Sequence, residues 1–239
     1  MSIAKTYWVA LMQELGVAPK LWRPFWSDLE RRYREKHRYY HHLRHIGHFV
    51  ITLESLCAPL RPRPEQLLAV FFHDAIYDPQ RQDNEARSAE LAAEFLRAVG
   101  LYRRYGAAVD CLIMATAGHN IDKAMEKVAA ARAGSVRLKR LHIAQFLDSD
   151  LSILAASRAA YKTYCRAIAL EYGHLAPEQF ARGRAGFLKA FLAQGQAKCL
   201  FHSPRGYKRF EERARVNLQY ELAILSRQVK GSLVEGLAS

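Results

Sequence analysis

The run Leu67-Leu68-Ala69-Val70-Phe71-Phe72-His73-Asp74-Ala75-Ile76-Tyr77 is apolar almost all round until it reaches one His-Asp pair. A segment without a polar face belongs inside a core, so the rest of the chain has to be arranged around it. Read as a helix, it places Leu67, Val70, Phe71 and Asp74 on one face at the i, i+3, i+4, i+7 spacing. A carboxylate thus completes an apolar stripe. Left unpaired there it is costly, so it calls for a cation, a metal, strong donors or a proton. His73 offers a nitrogen to the same partner.

The surrounding chain is helical in pattern. Period-2 alternation and hairpin turns are nearly absent. Met1 to Pro19 reads as an amphipathic helix, since Gln13 and Glu14 interrupt its apolar part and no small-residue cleavage site follows. Ser27-Asp28-Leu29-Glu30 reads as a capping-box start. From about Tyr39 to Cys57 a helix carries Ile46, Phe49, Val50, Leu53, Leu56 and Cys57 as a stripe. Pro62 and Pro64 punctuate the chain before the central helix, and Pro79 is expected to end it. Asp83 to Val99 forms the next helix, with Gly100 as its left-handed cap. Tyr102 to about Ala117 follows. Gly118 to Gly134, small and charged, reads as a loop. Helices over Leu138 to Ala155, Ala159 to Tyr172, Pro177 to about Gln194 and Tyr207 to Gln228 complete the chain, with a frayed tail after Lys230. There is no repeat and no linker rich in Gly, Ser or Pro. The expectation is one all-α domain over 1–239, with a core at about 37–156 on which the terminal helices pack.

Composition narrows the partners. No apolar run reaches the length of a membrane span. The four cysteines, Cys57, Cys111, Cys165 and Cys199, are scattered without a CxxC pair, as expected of reduced thiols in a cytoplasmic protein. The net charge of +13 favours a phosphorylated or polyanionic partner. The basic residues form no dense block and no aromatic-interleaved motif, so a small phosphorylated substrate is favoured over nucleic acid. Nothing in the sequence speaks to the oligomeric state.

Four places supply ligand-type side chains. In Tyr40-His41-His42-Leu43-Arg44-His45-Ile46, His45 lies one turn before Phe49 and borders the buried stripe. The second is His73-Asp74. The third is His119, which follows Leu112, Ile113 and Thr116 at helical spacing. In the fourth, Phe146, Asp150 and Ile153 share a face, and Asp150, like Asp74, is a carboxylate set in an apolar stripe. Two such carboxylates and two or three histidines share one economical explanation, a divalent metal bound through imidazole nitrogen and carboxylate oxygen. His41, His42 and His48 taken singly read as ordinary residues of a polar helix face.

The order His45, His73-Asp74, His119, Asp150 resembles the H…HD…H…D signature of the HD-domain superfamily of metal-dependent phosphohydrolases. Tyr40 to Ile46, Phe72 to Pro79, Asp83-Asn84-Glu85-Ala86-Arg87-Ser88-Ala89 and Leu147 to Leu154 together resemble a bacterial group of predicted HD phosphohydrolases of about this size. So do Phe180-Ala181-Arg182-Gly183-Arg184 and Glu212 to Leu218. The resemblance implies an all-α, HD-like helical bundle with the metal site between helices. It implies His45, His73, Asp74 and Asp150 as ligands of one or two divalent ions (Mn, Mg, Ni, Co, Zn or Fe), with Asp74 the carboxylate placed to bridge two. His119 fits the additional histidine of longer signatures. The last ligand is Asp148 or Asp150; Asp150 is chosen for its face and for the Leu-containing turn after it. A phosphate-ester hydrolase would need basic groups for the phosphoryl oxygens, for which Arg44, Arg87 and Lys123 are candidates. Asp78, if one helical turn beyond Asp74, is a candidate general acid. Glu85, with Ser88, is a candidate to hold a ligand or the metal's water. The alternatives are an HD-type oxygenase with two irons, and a non-catalytic module that senses a nucleotide.

Overall fold

The computed structural model describes residues 2–131, 136–197 and 199–237. These form eleven α-helices and one short 3-10 helix, with no strand among the described residues. None of these helices is long and apolar enough to cross a membrane. The chain divides into two compact units, Met1–Asp150 and Leu151–Ser239.

The first unit is built from α1 (Ile3–Glu14), α2 (Pro19–Arg32), α3 (Leu43–Cys57), α4 (Pro64–Phe72), α5 (Asn84–Ala98), α6 (Tyr102–Ala115), α7 (Ile121–Ala130) and α8 (Arg140–Asp150). Helix α1 buries Ala4, Trp8, Leu11 and Met12, a single stripe at helical spacing. Trp8 sits at the centre of the core, with the rings of Phe71, Phe95, Trp26 and Phe72 at 5.1, 5.2, 5.8 and 6.0 Å. The α3 stripe expected from the sequence is buried throughout, from Ile46 to Cys57. Gly47 faces α1, where a Cβ would come into van der Waals contact with the Ile3 side chain at 3.4 Å. Gly100 takes the left-handed conformation at φ +73°, and the Leu101 amide returns to the Leu96 carbonyl at 2.8 Å.

Several boundaries differ from the sequence reading, and the helix expected over Leu138 to Ala155 gives way to a 3-10 segment after Asp150. Helix α2 begins at Pro19, a residue suited to a first turn, so Ser27 lies inside the helix and caps nothing. The Asp28 carboxylate turns to Arg31 and Arg32 instead. The expected loop after Gly118 contains helix α7, capped by Asn120, whose side chain accepts from the Asp122 and Lys123 amides. Residues 132–134 of that expected loop lie outside the described residues. Helix α4 ends at Phe72, well before Pro79.

Side chains explain that early end. The Val70 carbonyl pairs with His73 Nδ1 at 2.9 Å, and the Phe71 carbonyl accepts from the Tyr33 hydroxyl at 3.0 Å. Arg38 donates to the carbonyls of Asp74 at 2.6 Å and Ala75 at 3.1 Å. The Ile76 amide donates to Ser88 Oγ at 3.0 Å. With its last carbonyls met by His73, Ala75 and Tyr33 and the following turn held by Arg38 and Ser88, the chain leaves the helix without stranding those carbonyls.

The second unit contains the 3-10 helix Leu151–Ala155, α9 (Arg158–Glu171), α10 (Pro177–Ala197) and α11 (Pro204–Leu237). Helix α11 runs past the Gln228 end expected from the sequence. Asn217 donates to the carbonyls of Leu154 at 2.8 Å and Ala156 at 2.9 Å, which ties the 3-10 segment to α11. Glu221 is buried and receives Arg184 Nε at 2.8 Å and the Tyr161 hydroxyl.

Candidate metal centre

His45 comes from the first turn of α3, and His73 caps α4. Asp74 follows in the turn, His119 precedes α7, and Asp150 is the last residue of α8. The fold brings all five together. His73 Nε2 is 2.9 Å from Asp74 Oδ2 and 3.6 Å from Asp150 Oδ1. His45 Nε2 is 3.2 Å from Asp150 Oδ1 and 3.6 Å from Asp74 Oδ2. The two imidazole Nε2 atoms are 3.2 Å apart. His119 Nε2 meets the other oxygen of Asp150 at 2.8 Å.

These separations suit donors around one ion. A metal–donor bond of about 2.1 Å puts neighbouring donors about 3.0 Å apart in an octahedron and about 3.4 Å apart in a tetrahedron. His45, His73 and Asp74 form a buried group able to hold a metal ion. The donor set of two imidazoles and two carboxylates suits several first-row divalent ions and selects none. Two Nε2 lone pairs aimed at each other repel unless a proton or a cation lies between them, so the donor chemistry fits the ion as well as the spacing does.

The charges are balanced internally. Burial disfavours the imidazolium of His73, yet Asp74 and Asp150 outweigh burial and hold its pKa well above the ordinary value. Burial likewise opposes ionisation of Asp74, but His73 and His41 keep it well below the usual carboxylate range. Asp150 also ionises against burial, through hydrogen bonds from His119, His45 and His73.

Orientation is fixed from outside the cluster. The Val70 carbonyl fixes the proton of neutral His73 on Nδ1 and leaves the Nε2 lone pair facing the cluster. His45 has no such brace; its Nδ1 is buried without a hydrogen-bond partner among the described residues, and its ring is held between Tyr40 and Phe49. His119 is the one non-glycine with positive φ among the described residues, at +51°, directly after Gly118 at +82°. A left-handed histidine stores strain of about 1 kcal/mol or more, and here it delivers Nε2 to Asp150.

The other sequence candidates fall outside this contact set. The Asp150 carboxylate meets the three histidines; Asp148 is fully buried two residues earlier. Asp78 does not take the place expected of a general acid beside Asp74. With α4 ended at Phe72 it is not one helical turn beyond Asp74, and its Oδ1 accepts the Gln80 amide at 2.9 Å to close a turn. Asn84 clamps the same residue, accepting its amide at 3.1 Å and donating to its carbonyl at 2.8 Å. Glu85 lies half-buried in the first turn of α5 and makes no hydrogen bond or ion pair to the five. Ser88 serves the turn through Ile76. Arg44, Arg87 and Lys123 are exposed, and none bonds to the cluster.

The sequence reading missed Arg38. Its guanidinium is buried against Tyr33 and Tyr77, pairs with Glu35 at 3.0 Å and holds the carbonyls of Asp74 and Ala75. A buried arginine interrupts no hydropathy pattern that could have marked it. No family model, no curated protein and no solved structure matches the chain.

Proposed function

We propose that the chain is a metal-dependent phosphohydrolase of the HD-domain type, with an HD-like bundle around the cluster and a phosphate ester of a small metabolite or nucleotide as substrate. One observation carries this reading: two half-buried carboxylates and two buried imidazole nitrogens converge at metal-ligand spacing in the order of the H…HD…H…D signature. His45, His73, Asp74 and Asp150 would hold the ion. A divalent ion there supplies Lewis acidity, acidifying a water and polarising a phosphoryl oxygen.

The chain's own residues do the rest. Asp74 and Asp150 supply the negative charge that neutralises the ion, and the turn clamp of Arg38 and Ser88 keeps Asp74 in place. His119, the most exposed histidine of the five-residue cluster at 21%, turns Nε2 to Asp150 and would be the group to ligate a second ion. Arg44, Arg87 and Lys123 are exposed and would meet the phosphoryl oxygens. Glu85, half-buried in the first turn of α5, would hold the metal's water.

The test is hydrolysis of a chromogenic phosphate monoester and a nucleotide panel with Mn²⁺, Co²⁺, Ni²⁺ or Mg²⁺, alongside Asp74→Asn. Metal-dependent phosphate release that falls at least about a hundredfold in the variant is expected. Metal binding without phosphate release from any ester would sink the reading. The His119–Asp150 contact favours one second reading, a two-iron oxygenase, which would show two equivalents of iron and oxygen uptake with no phosphate release.

A further inference from the structure

At the opposite end of α4 from the His/Asp cluster lies a cavity of about 460 Å³. It is lined by Arg63, Arg103, Arg104 and Arg137, with Glu65 and Tyr105. Four arginines thus line it beside one carboxylate. Arg63 spends its Nε on Glu65 at 2.6 Å, and Arg104 covers the Tyr105 ring at 5.0 Å. Arg103 and Arg137 are exposed and form no ion pair among the described residues.

The backbone adds to this charge. The cavity is lined by the first turns of both α4 and α6; Gln66 accepts the Arg63 amide at 2.9 Å at the start of α4, whereas α6 has no side-chain cap. The uncapped first-turn amides of α6 carry the positive end of its helix dipole.

We propose that this cavity is a second site, separate from the His/Asp cluster, that binds a small anion carrying two or more phosphates. The cavity has the size of a small-molecule pocket, roughly 300–1,000 Å³. Guanidinium forks match phosphate oxygens in pairs. The excess of arginines over carboxylate calls for a multiply charged ligand, and the concave shape suits a compact ligand rather than a nucleic-acid track. From Pro64 to His73, α4 spans about 13 Å at 1.5 Å per residue, so a phosphate in the cavity does not touch the cluster.

The probe is inorganic tripolyphosphate, titrated calorimetrically into the full chain with EDTA present, at about 0.15 M salt. Saturable one-to-one binding is expected, and Asp74→Ala should bind equally well. Arg103→Ala with Arg104→Ala should weaken binding about tenfold or more per guanidinium, and Arg137→Ala, outside any helix, should weaken it independently. Arg31→Ala with Arg34→Ala removes the same charge from another surface and should change nothing. No saturable binding would overturn the proposal. So would equal weakening by the Arg31/Arg34 pair, indifference to the loss of Arg103, Arg104 and Arg137, or tighter binding of a single-stranded oligonucleotide than of tripolyphosphate.

Discussion

Each unit buries a polar cluster, and the two clusters are finished differently. In the second unit Glu221 meets a fixed cation, Arg184, and a hydroxyl donor, Tyr161, while Arg184 also donates to the Tyr164 hydroxyl at 3.3 Å. Every member has a complementary partner. In the first unit two carboxylates face histidines, and two imidazole nitrogens point at each other. Its balance depends on a proton that can leave or on an ion that can arrive. Complementary fixed charges make a strut; unfinished titratable donors make a site.

That contrast can be broken by substitution. Glu221→Ala strands Arg184 in the interior, and loss of a buried partner costs about 3–5 kcal/mol, to be read as a lower denaturant midpoint with metal affinity unchanged. Equal destabilisation of metal binding would erase the distinction between strut and site. Next in size is the effect of an ion: Mn²⁺ at a hundred times its Kd should stabilise the wild type by about 2.7 kcal/mol, and Asp74→Asn not at all. Arg38→Ala should weaken metal binding about 10–100-fold by freeing the turn that carries Asp74, and Arg38→Lys should not restore it, since one ammonium cannot span the Asp74 and Ala75 carbonyls.

The smallest effect is the pH dependence. The His73 pKa is raised on folding, so the metal-free protein gains stability from it that is fully present below the ordinary value of 6.5 and is lost as pH rises through the folded value. Metal must displace that proton. Metal affinity should therefore climb about tenfold per pH unit across the same window and level off above it. Calorimetry in buffers of different ionisation heat would show the released proton, and a pH-independent affinity would show that His73 is not a ligand.

The stripes were legible because burial repeats at helical spacing: Ile46 to Cys57 on α3 and the all-apolar run of α4 are core in both readings. The carboxylates at Asp74 and Asp150 stood out because each interrupts such a stripe. What escaped was decided by distant side chains. The end of α4 is set by Tyr33, Arg38 and Ser88, between 12 and 38 residues away in sequence, and local rules assigned it to Pro79. The Asn120 cap of α7 was present in the sequence, but the small, charged residues around it hid the helix. The α2 capping box failed because Pro19 had already begun the helix.

The most direct measurement is elemental analysis of protein purified without chelator and then offered Mn²⁺, Ni²⁺ or Fe²⁺, beside Asp74→Ala. One or two equivalents of metal in the wild type and none in a folded variant is the predicted result. Absence of metal from both would contradict the account and leave Asp74 as a structural residue paired with His73.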